Sequence, residues 1–452
     1  MEQKTALIVG MAKSGIGSAR LLAKNGYRVI INDMKSEIDG LFEALKDIEY
    51  INALGKKPET LFDGVDLLVL SPVIPVFAPF AKEAQSRGIE VIGEIELGYR
   101  FASRKANFVC ISGTNGKTTT TALTGEIFKE AGRNTFVLGN IGDPITEHST
   151  DIKDGDTVVA EVAALQLESI DTFRANAVGM LNITEDHLNR FENKMENYIA
   201  AKCRVFENQT ENDFAVLNYD DSTVRDMQKL TRAKVVWFST KGEVDEGAFL
   251  KDTKMMWRTN GSDCEIIDIS ELKIMGLHNV ENALCASALS LCMGIEMEDL
   301  RRALSRFTAV EHRIEAVREK DGILYINDSK GTNPDSTIKA VEAMTRPTIL
   351  LLGVGNYDKK SDFVPLFEVF GDTVKAVIVS GINTPSILEA AKKTGFENIS
   401  VCEGDLEDMV KQAQKMAEHG DVVLLSPAAA SWGMFDNFEQ RGTIFKEIVN
   451  KL

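Results

Sequence analysis

Residues 107–124, NFVCISGTNGKTTTTALT, determine the fold of the central part of this chain. The apolar run at 107–112 is typical of a buried strand, and the run from 117 to about 132 is typical of a helix. Between them lies the turn GTNGKT, residues 113–118. Glycines allow the N–H groups of such a turn to converge on a phosphate at the positively polarised start of the helix. The stretch therefore predicts a polyphosphate-binding loop.

The two residues that end this turn suit a nucleoside triphosphate. Lys117 can neutralise the β- and γ-phosphates, and the Thr118 hydroxyl can ligate Mg²⁺. The match to the P-loop pattern is incomplete, because Ile111 stands where the first glycine is expected. The alternative is a glycine turn with an exposed lysine and no ligand. The strand before the turn and the helix after it favour the phosphate site.

Strands alternate with helices along the whole chain, which predicts an α/β fold with mainly parallel sheets. We expect three consecutive α/β domains: Rossmann-like domains at 1–97 and 309–452 around a central P-loop ATPase-type domain at 98–308. We predict strands at 6–9, 27–32, 65–70, 90–92, 107–112, 157–161, 177–183, 214–217, 234–238, 265–269, 323–327, 348–352, 375–380 and 422–425, and helices at 18–25, 117–132, 279–293 and 297–307.

Composition excludes several classes of partner. Lys and Arg number 51 against 68 Asp and Glu, a net charge of −17, which argues against nucleic acid and anionic membranes. No apolar run is long enough to cross a bilayer, and the start lacks the pattern of a signal peptide. The six cysteines include no C-x-x-C pair, which argues against structural zinc. We therefore expect a cytoplasmic protein that acts on small molecules; that it is a monomer is a prediction which these observations do not decide.

The first block carries a weaker glycine pattern. Gly10, Ala12 and Gly15 follow the first strand, and Asp33 follows the second, where a ribose-binding acid lies in dinucleotide-binding proteins. The middle glycine of that fingerprint is Ala12 here. A nucleotide site and a tight turn without a ligand both remain open at this point.

Several polar residues of the other two blocks follow strands, where parallel sheets collect ligands. Glu161 suits a Mg²⁺ ligand, with a solvated or helix-capping glutamate as the alternative. His187 can bind metal as neutral imidazole, although a lone histidine is more often structural. By helical spacing alone, Lys202 is a solvated helix residue. In the last block, 328–333 and 426–431 are loop segments suited to substrate contacts.

Taken in order, nine segments resemble the Mur ligase family of ATP-dependent peptidoglycan precursor synthetases. Individually each segment is a modest signal, but the ordered set is specific and covers nearly the whole chain. The segments are GTNGKTTTT, GNIG at 139–142, the strand ending at Glu161, NITEDHLNRF, AAKCRVFEN, GLHNVENAL, EHRIE, INDSKGTNPDST and LLSPAAASWGMFDNFEQRG.

The resemblance implies a role for each matching residue. Lys117, His187 and Lys202 are implied in catalysis, with Lys202 carbamylated by CO₂. Two Mg²⁺ ions are implied on Thr118, Glu161, His187 and Lys202. ATP is implied on Gly113, Thr114, Asn115, Gly116, Lys117, Thr118, Thr119, Asn279, Asn282, Arg313 and Asp328. A UDP-linked muramoyl substrate is implied on Ser14, Gly15, Asp33, Lys35, Ser71 and Asn140, and an amino acid on Thr332, Ser431, Phe438 and either Lys359 or Lys360.

The implied activity is ATP-dependent amide ligation through an acyl phosphate. The N-terminal segments GMAKSGIG and SPVIP favour the branch that adds D-glutamate to UDP-N-acetylmuramoyl-L-alanine. The chain departs from the family pattern at Val73, at 163–165 and in the loop 353–363, which has one glycine fewer. The implied mechanism requires the last block to close on the central one, with a hinge near 307–311.

Three other functions remain open at this point. A sister ligase, such as a folylpolyglutamate synthetase, would use another amino acid or acceptor on the same scaffold. A dinucleotide-dependent dehydrogenase would use the N-terminal turn. A P-loop switch would hydrolyse nucleotide alone.

Overall fold

The computed structural model describes residues 3–186, 188–274, 276–308, 311–358 and 360–452. The chain forms two compact units. The first contains Met1–Glu271 and Glu281–Arg306, and the second contains Leu272–Val280 and Phe307–Leu452. The predicted domain limits at 97 and 308 stay predictions, and the first of them falls inside a helix, Glu94–Phe101.

The first sheet of the first unit is parallel throughout its described strands, because its apolar strands are joined by helical crossovers. Its order is β3-β2-β1-β4-β5. The strands are β1 Thr5–Val9, β2 Arg28–Asn32, β3 Ile51–Asn52, β4 Leu67–Leu70 and β5 Glu90–Gly93. The helices are α1 Lys13–Lys24, α2 Leu41–Ala44, α3 Pro79–Ser86 and α4 Glu94–Phe101.

The predicted start of the first helix at residue 18 is wrong. Helix α1 begins at Lys13, so Ser14, Gly15 and Gly17 lie in its first turns. A Cβ on Gly15 would lie 2.0 Å from the carbonyl oxygen of Gly10. The glycine pattern predicts a turn, whereas Gly15 lies within the helix and allows its close packing against the end of β1.

The second sheet of the first unit has the order β14-β13-β12-β11-β10-β9-β6-β8-β7. Its strands are parallel from β7 to β12, and β12, β13 and β14 form an antiparallel meander. The strands are β6 Asn107–Ser112, β7 Thr135–Gly139, β8 Thr157–Glu161, β9 Ala177–Met180, β10 Phe214–Asn218, β11 Lys234–Ser239, β12 Gly247–Lys251, β13 Lys254–Thr259 and β14 Ser262–Asp268. The sequence analysis omitted β7, β12 and β13.

Helices cover this sheet, and one buried cluster joins its strands to helix residues such as Ile145, Leu167 and Val224. The helices are α5 Lys117–Glu130, α6 Ile145–His148, α7 Ala164–Leu167, α8 Met195–Cys203, α9 Ser222–Asp226, α10 Leu277–Cys292 and α11 Met297–Arg306. Short 3₁₀ turns lie at Pro58–Leu61 near the first sheet and at Leu188–Phe191, Arg204–Phe206, Met227–Leu230 and Ile269–Glu271 here.

The second unit contains a sheet of order β15-β16-β20-β17-β18-β19, with only β15 antiparallel among its described strands. The strands are β15 Glu315–Lys320, β16 Ile323–Asn327, β17 Thr348–Gly353, β18 Val374–Ser380, β19 Ile399–Val401 and β20 Val422–Leu425. The helices are α12 Pro334–Glu342, α13 Val364–Glu368, α14 Thr384–Thr394, α15 Leu406–Met416 and α16 Phe438–Lys451. Strands β15 and β19 are absent from the sequence-based assignment.

The α/β class with three mainly parallel sheets is confirmed. Apolar side chains of the third sheet form buried clusters on both of its faces, as a sheet covered by helices on each side requires. Within the described residues, no helix combines the length and the apolar character that a bilayer crossing demands.

A buried carboxylate on α4 joins the first sheet to the second. Glu96 has a fully buried side chain and accepts hydrogen bonds from the backbone N–H groups of Asp171, Thr172 and Phe173 and from the Thr172 hydroxyl. Arg100 donates to the same carboxylate at 2.6 Å. Burial alone raises the pKa of Glu96, but the hydrogen bonds from Thr172, Asp171 and Arg100 outweigh it and hold the pKa below its ordinary value.

We expect Glu96→Gln to lower the free energy of unfolding by about 2–3 kcal/mol at pH 7, because a neutral amide cannot replace a carboxylate that accepts this many donors. A carboxylate with a depressed folded-state pKa stabilises the fold above its unfolded pKa and loses that effect as the pH falls through the folded pKa. The difference between the variant and the parent protein should therefore hold from about pH 8 to about pH 5 and shrink at more acidic pH. Urea unfolding of both proteins at several pH values measures this difference in the free energy of unfolding.

The control for this prediction is Glu90→Gln. Glu90 also accepts from Arg100, but its side chain is 52% exposed, so its loss should cost below about 1 kcal/mol. Equal losses for the two variants would contradict the prediction.

Candidate active site

The predicted phosphate loop joins β6 to α5 as expected. Gly113 and Gly116 have φ values of +138° and +85°, which side chains other than glycine rarely adopt. A Cβ on Gly116 would lie 2.3 Å from Oδ1 of Asn282, and that oxygen also accepts from the Thr120 hydroxyl at 3.2 Å. The loop conformation therefore requires glycine at 116 and is held against helix α10.

Asn182, on the loop after β9, fixes the backbone of the phosphate loop. Its carbonyl oxygen accepts from the N–H of Thr114, and its side-chain oxygen accepts from the N–H of Asn115, both at 2.8 Å. The loop meets Asn182 because β9 pairs with β6 in register, Ser112 beside Met180. The hydrogen bonds to Asn182 therefore hold the phosphate loop in its conformation before any ligand binds.

Lys202 is buried, which makes its assignment as a solvated helix residue wrong. The side chain rises from α8 and only 2% of the residue is exposed. Its Nζ donates to the carbonyl oxygen of Gly113 at 2.7 Å. Burial, and after it the charge of Lys117, lower the pKa of Lys202 far below its ordinary value, against the opposing carboxylates of Asp186 and Glu161. The site thus favours an uncharged, nucleophilic amine.

Lys117 lies against the same loop. Its Nζ donates to the carbonyl oxygens of Gly113 and Thr114 at 3.0 and 2.7 Å, so two lysines share the Gly113 carbonyl. Tyr198, one helical turn before Lys202, places its ring 4.7 Å from the Lys202 Nζ and its hydroxyl 3.1 Å from the Thr114 hydroxyl. The tyrosine therefore contacts both the lysine and the phosphate loop.

Glu161 ends β8 on the other side of β6. It is buried, and its Oε1 accepts from Nδ2 of Asn140 at 2.8 Å. Asn140 follows β7, and its N–H donates to the Glu161 carbonyl oxygen at 2.9 Å. Gly139 has φ of +105°, and a Cβ there would lie 2.4 Å from the same carbonyl oxygen. The GNIG segment is thus folded around the end of the glutamate strand.

The donor set fits Mg²⁺ bound together with phosphate oxygens. The described residues bring together no group of three or more His, Cys, Asp or Glu side chains that could hold a metal alone. Mg²⁺ is commonly held by one or two carboxylates, water and the phosphates of a substrate. Glu161 supplies such a carboxylate, and Thr118, buried in the first turn of α5, supplies the hydroxyl.

The predicted UDP-contact residues lie at the carboxyl edge of the first sheet. Asp33 accepts from the N–H groups of Met11 and Lys35 at 2.9 and 3.1 Å, which ties the loops after β1 and β2 together. Ser71 follows β4 and is buried, and its N–H donates to the Val9 carbonyl oxygen. The structure therefore brings these three loops to one edge.

The second unit has its own polar edge. Asp328, after β16, is buried and accepts from the Ser426 hydroxyl at 2.6 Å and from the Ile314 N–H at 3.2 Å. Burial outweighs the nearby charges of Arg313 and Arg441 and raises the pKa of Asp328 to about 6. Arg313 itself keeps its Nε buried without a hydrogen-bond partner among the described residues.

Arg441 on α16 organises this edge, and the sequence analysis gave it no role. It is fully buried and donates to the oxygens of Ser329, Val354 and Ala429, which belong to the loops after β16, β17 and β20. Burial lowers the pKa of Arg441 to about 9, so it stays charged at neutral pH. One guanidinium therefore fixes three loops.

Of the predicted amino-acid residues, four lie on loops or helix starts at this edge: Thr332, Lys360, Ser431 and Phe438. Phe438 starts α16, with its ring against the Lys330 ammonium at 5.0 Å. Lys359 and His187 lie outside the described residues. Asn282 belongs to the first unit and Asn279 to the second.

Family comparisons agree with this arrangement. The profiles described as "Mur ligase MurD-like, N-terminal domain", "Mur ligase middle domain" and "Mur ligase, glutamate ligase domain" match residues 4–93, 111–290 and 312–429. The chain belongs to the Mur ligase family. UDP-N-acetylmuramoylalanine–D-glutamate ligase of Alkaliphilus metalliredigens is 45% identical, across 100% of this chain and 99% of that protein. The protein of the same name from Clostridioides difficile is 42% identical, with the same coverage.

Solved structures agree on the Mur ligase fold. A pseudomurein peptide ligase type C from Methanothermus fervidus has a TM-score of 0.60 at 19% identity, covering 99% of this chain and 100% of that chain. UDP-N-acetylmuramate–alanine ligase from Thermotoga maritima has a TM-score of 0.61 at 18% identity and covers 100% of both chains. At such identities the likeness concerns the fold alone.

We expect Gly116→Ala to weaken the binding of Mg-ATP by about a hundredfold, because the new Cβ would lie 2.3 Å from the Asn282 Oδ1 and 3.1 Å from the Leu181 Cδ1, so that either the loop or Asn282, itself a predicted ATP contact, must move. Isothermal titration calorimetry measures this affinity. The control is Gly132→Ala beyond the other end of α5, where φ is +72° but nothing lies within 4 Å of the added atom. That variant should bind Mg-ATP normally and lose only about 1–2 kcal/mol of stability. Equal affinities for the two variants would refute the prediction.

Proposed function

We propose that this Mur ligase joins D-glutamate to UDP-N-acetylmuramoyl-L-alanine and consumes ATP. The observation that supports the proposal most is the convergence of Lys117, Lys202 and Thr118 on one phosphate loop, with the buried Glu161 on the adjacent strand. The names of the full-length relatives supply the choice of amino acid and acceptor.

The reaction needs an activated acid, because a carboxylate is a poor electrophile at neutral pH. Transfer of the γ-phosphoryl group of ATP to the carboxylate of the acceptor forms a new P–O bond and releases ADP. The amine of the amino acid then attacks the acyl carbon, the amide C–N bond forms, and phosphate leaves with the C–O bond electrons. We propose that Lys117 and Arg313 offset the charge of the phosphoryl group during its transfer.

Lys202 is proposed to carry a carbamate. Its neutral amine adds to CO₂, a C–N bond forms, and one proton leaves, which turns a cationic residue into an anionic one. The burial that disfavours the ammonium form also favours this addition, since only the neutral amine reacts. The product is a carboxylate-type ligand on a side chain that begins as an amine.

Magnesium fits the same site. We propose that Thr118 and Glu161 hold one ion and that His187 and carbamylated Lys202 hold a second. Bound Mg²⁺ would neutralise part of the charge on the phosphoryl oxygens. The protein residues around it hold the phosphate loop in place.

The work is proposed to divide among three domains. Residues 1–97 would bind the UDP part of the acceptor through Ser14, Gly15, Asp33, Lys35 and Ser71, with Asn140 contacting its muramoyl part. Residues 98–308 would bind ATP, in part through Asn279 and Asn282. Arg313 and Asp328 of the last domain would also contact the nucleotide. Residues 309–452 would bind D-glutamate through Thr332, Ser431, Phe438 and Lys359 or Lys360. We infer a monomer in the cytoplasm, where ATP and UDP-linked sugars are made.

We expect Lys202→Arg to reduce ligation to below about 1% of the parent activity, because a guanidinium keeps the positive charge and forms no stable carbamate. Lys194→Arg at the start of the same helix is the control, since Lys194 is 61% exposed, and it should keep full activity. With ¹³C-bicarbonate, NMR should show a carbamate carbon in the parent protein and none in Lys202→Arg. Normal activity in that variant would remove the proposed role of Lys202.

We expect phosphate release from ATP only when UDP-N-acetylmuramoyl-L-alanine and D-glutamate are present together, because the acyl phosphate needs both partners to turn over. The assay adds candidate amino acids one at a time, with L-glutamate as the stereochemical control. Turnover with another amino acid would assign a sister ligase. Hydrolysis that is independent of acceptor and amino acid would indicate a nucleotide switch.

A further inference from the structure

An exposed aromatic pair lies at the carboxyl edge of the third sheet. Tyr357 and Trp432 are 47% and 54% exposed, yet their rings meet edge to face at a centroid distance of 5.1 Å. Rings this exposed contribute little to a core, and such large apolar side chains are more often buried. Because the two rings lie on different loops, their contact affects how these loops are positioned relative to each other.

The two loops are also joined through their backbones. Tyr357 and Ala430 form an antiparallel bridge, and the Asn356 N–H donates to the Trp432 carbonyl oxygen at 2.9 Å. A Cβ on Gly355 would lie 1.9 Å from the Ala430 carbonyl oxygen, so the strands of this ribbon are in close contact. The described parts of the loops after β17 and β20 therefore form one paired ribbon.

Arg441 holds the base of this ribbon, and the aromatic pair adds a side-chain contact to the backbone pairing at its tip. At the base, Arg441 donates to the carbonyl oxygens of Val354 and Ala429, one in each loop. Val354 and Ala428 have φ values of +50° and +54°, a strained conformation that needs such support. At the tip, the rings of Tyr357 and Trp432 bridge the loops, and Asn356 lies beside them so close to Gly433 that a Cβ there would be 2.8 Å from the Asn356 Cβ.

We propose that Tyr357 and Trp432 are positioning residues for the amino-acid substrate. This inference rests on the proposed function, because it takes Ser431 and Lys360 as contacts of D-glutamate. Ser431 precedes Trp432 directly, and Lys360 follows Tyr357 by three residues on the other loop. The ring contact reinforces the backbone pairing of the loops and so helps to hold the geometry in which both side chains meet one substrate.

The test is a steady-state comparison of Trp432→Leu, Tyr357→Leu and the double variant. Each single variant should raise the KM for D-glutamate about three- to tenfold, the range that corresponds to one edge-to-face contact. The kcat and the KM values for ATP and for the UDP-linked acceptor should stay within about twofold. The double variant should be no worse than either single one, because both remove the same contact.

Two controls separate positioning from general damage. Trp432→Phe keeps an aromatic ring at this position, so its KM for D-glutamate should lie close to that of the parent protein and well below that of Trp432→Leu. Tyr219→Leu breaks a matching pair, Tyr219–Trp237, whose rings meet at 5.3 Å and 81° in the first unit, and should leave this KM unchanged.

The outcomes distinguish the two proposals. If the parent protein does not turn over D-glutamate, the proposed function fails, and this inference with it. If the parent protein does so but the single variants keep its KM, or raise all three KM values in parallel, the inference alone is overturned.

Discussion

The active centre depends on the burial of one amine beside another. Lys202 and Lys117 both donate to the Gly113 carbonyl oxygen, at 2.7 and 3.0 Å, and Lys202 is shielded from water. Two ammonium ions in this position repel each other, and burial removes the solvent that would screen them. This repulsion is relieved when the more buried lysine, Lys202, loses its proton. The Tyr198 ring lies 4.7 Å from this amine, whereas the Glu161 carboxylate at the end of β8 opposes the loss of its proton.

Sheet order explains how distant residues meet there. The order β9-β6-β8-β7 places Asn182, Lys117, Glu161 and Asn140 at neighbouring strand ends, although they span residues 117 to 182 in sequence. The third sheet uses the same rule, since β16, β20 and β17 are neighbours and end in the loops that Arg441 holds. In both units the ends of parallel strands collect polar groups that the chain separates widely.

Most strands of the parallel sheets were predictable because each is a continuous apolar run, such as β6 or β20. Strands β12 and β13 were not, because Gly247, Lys251, Lys254 and Arg258 bound apolar runs of only three residues each, too short to predict a strand. Helix periodicity could not show that Lys202 is buried, since a lysine normally faces solvent; only the resemblance singled it out. Tyr198, four residues before it, carried a local signal, because residues four apart share a helix face. Arg441 carried none, because its partners are backbone oxygens on three distant loops.

Lys202 and Arg441 show why the fold uses different cations in its two units. Arg441 must keep its charge to hold three loops, and a guanidinium stays protonated at neutral pH even when burial lowers its pKa to about 9. Its planar fork also matches several carbonyl oxygens at once. Lys202 has the opposite requirement, because its charge must be removable, and an amine loses a proton readily when buried. A lysine in place of Arg441 would therefore lose the fixed charge that holds the three loops. An arginine in place of Lys202 would retain a charge that this site must remove.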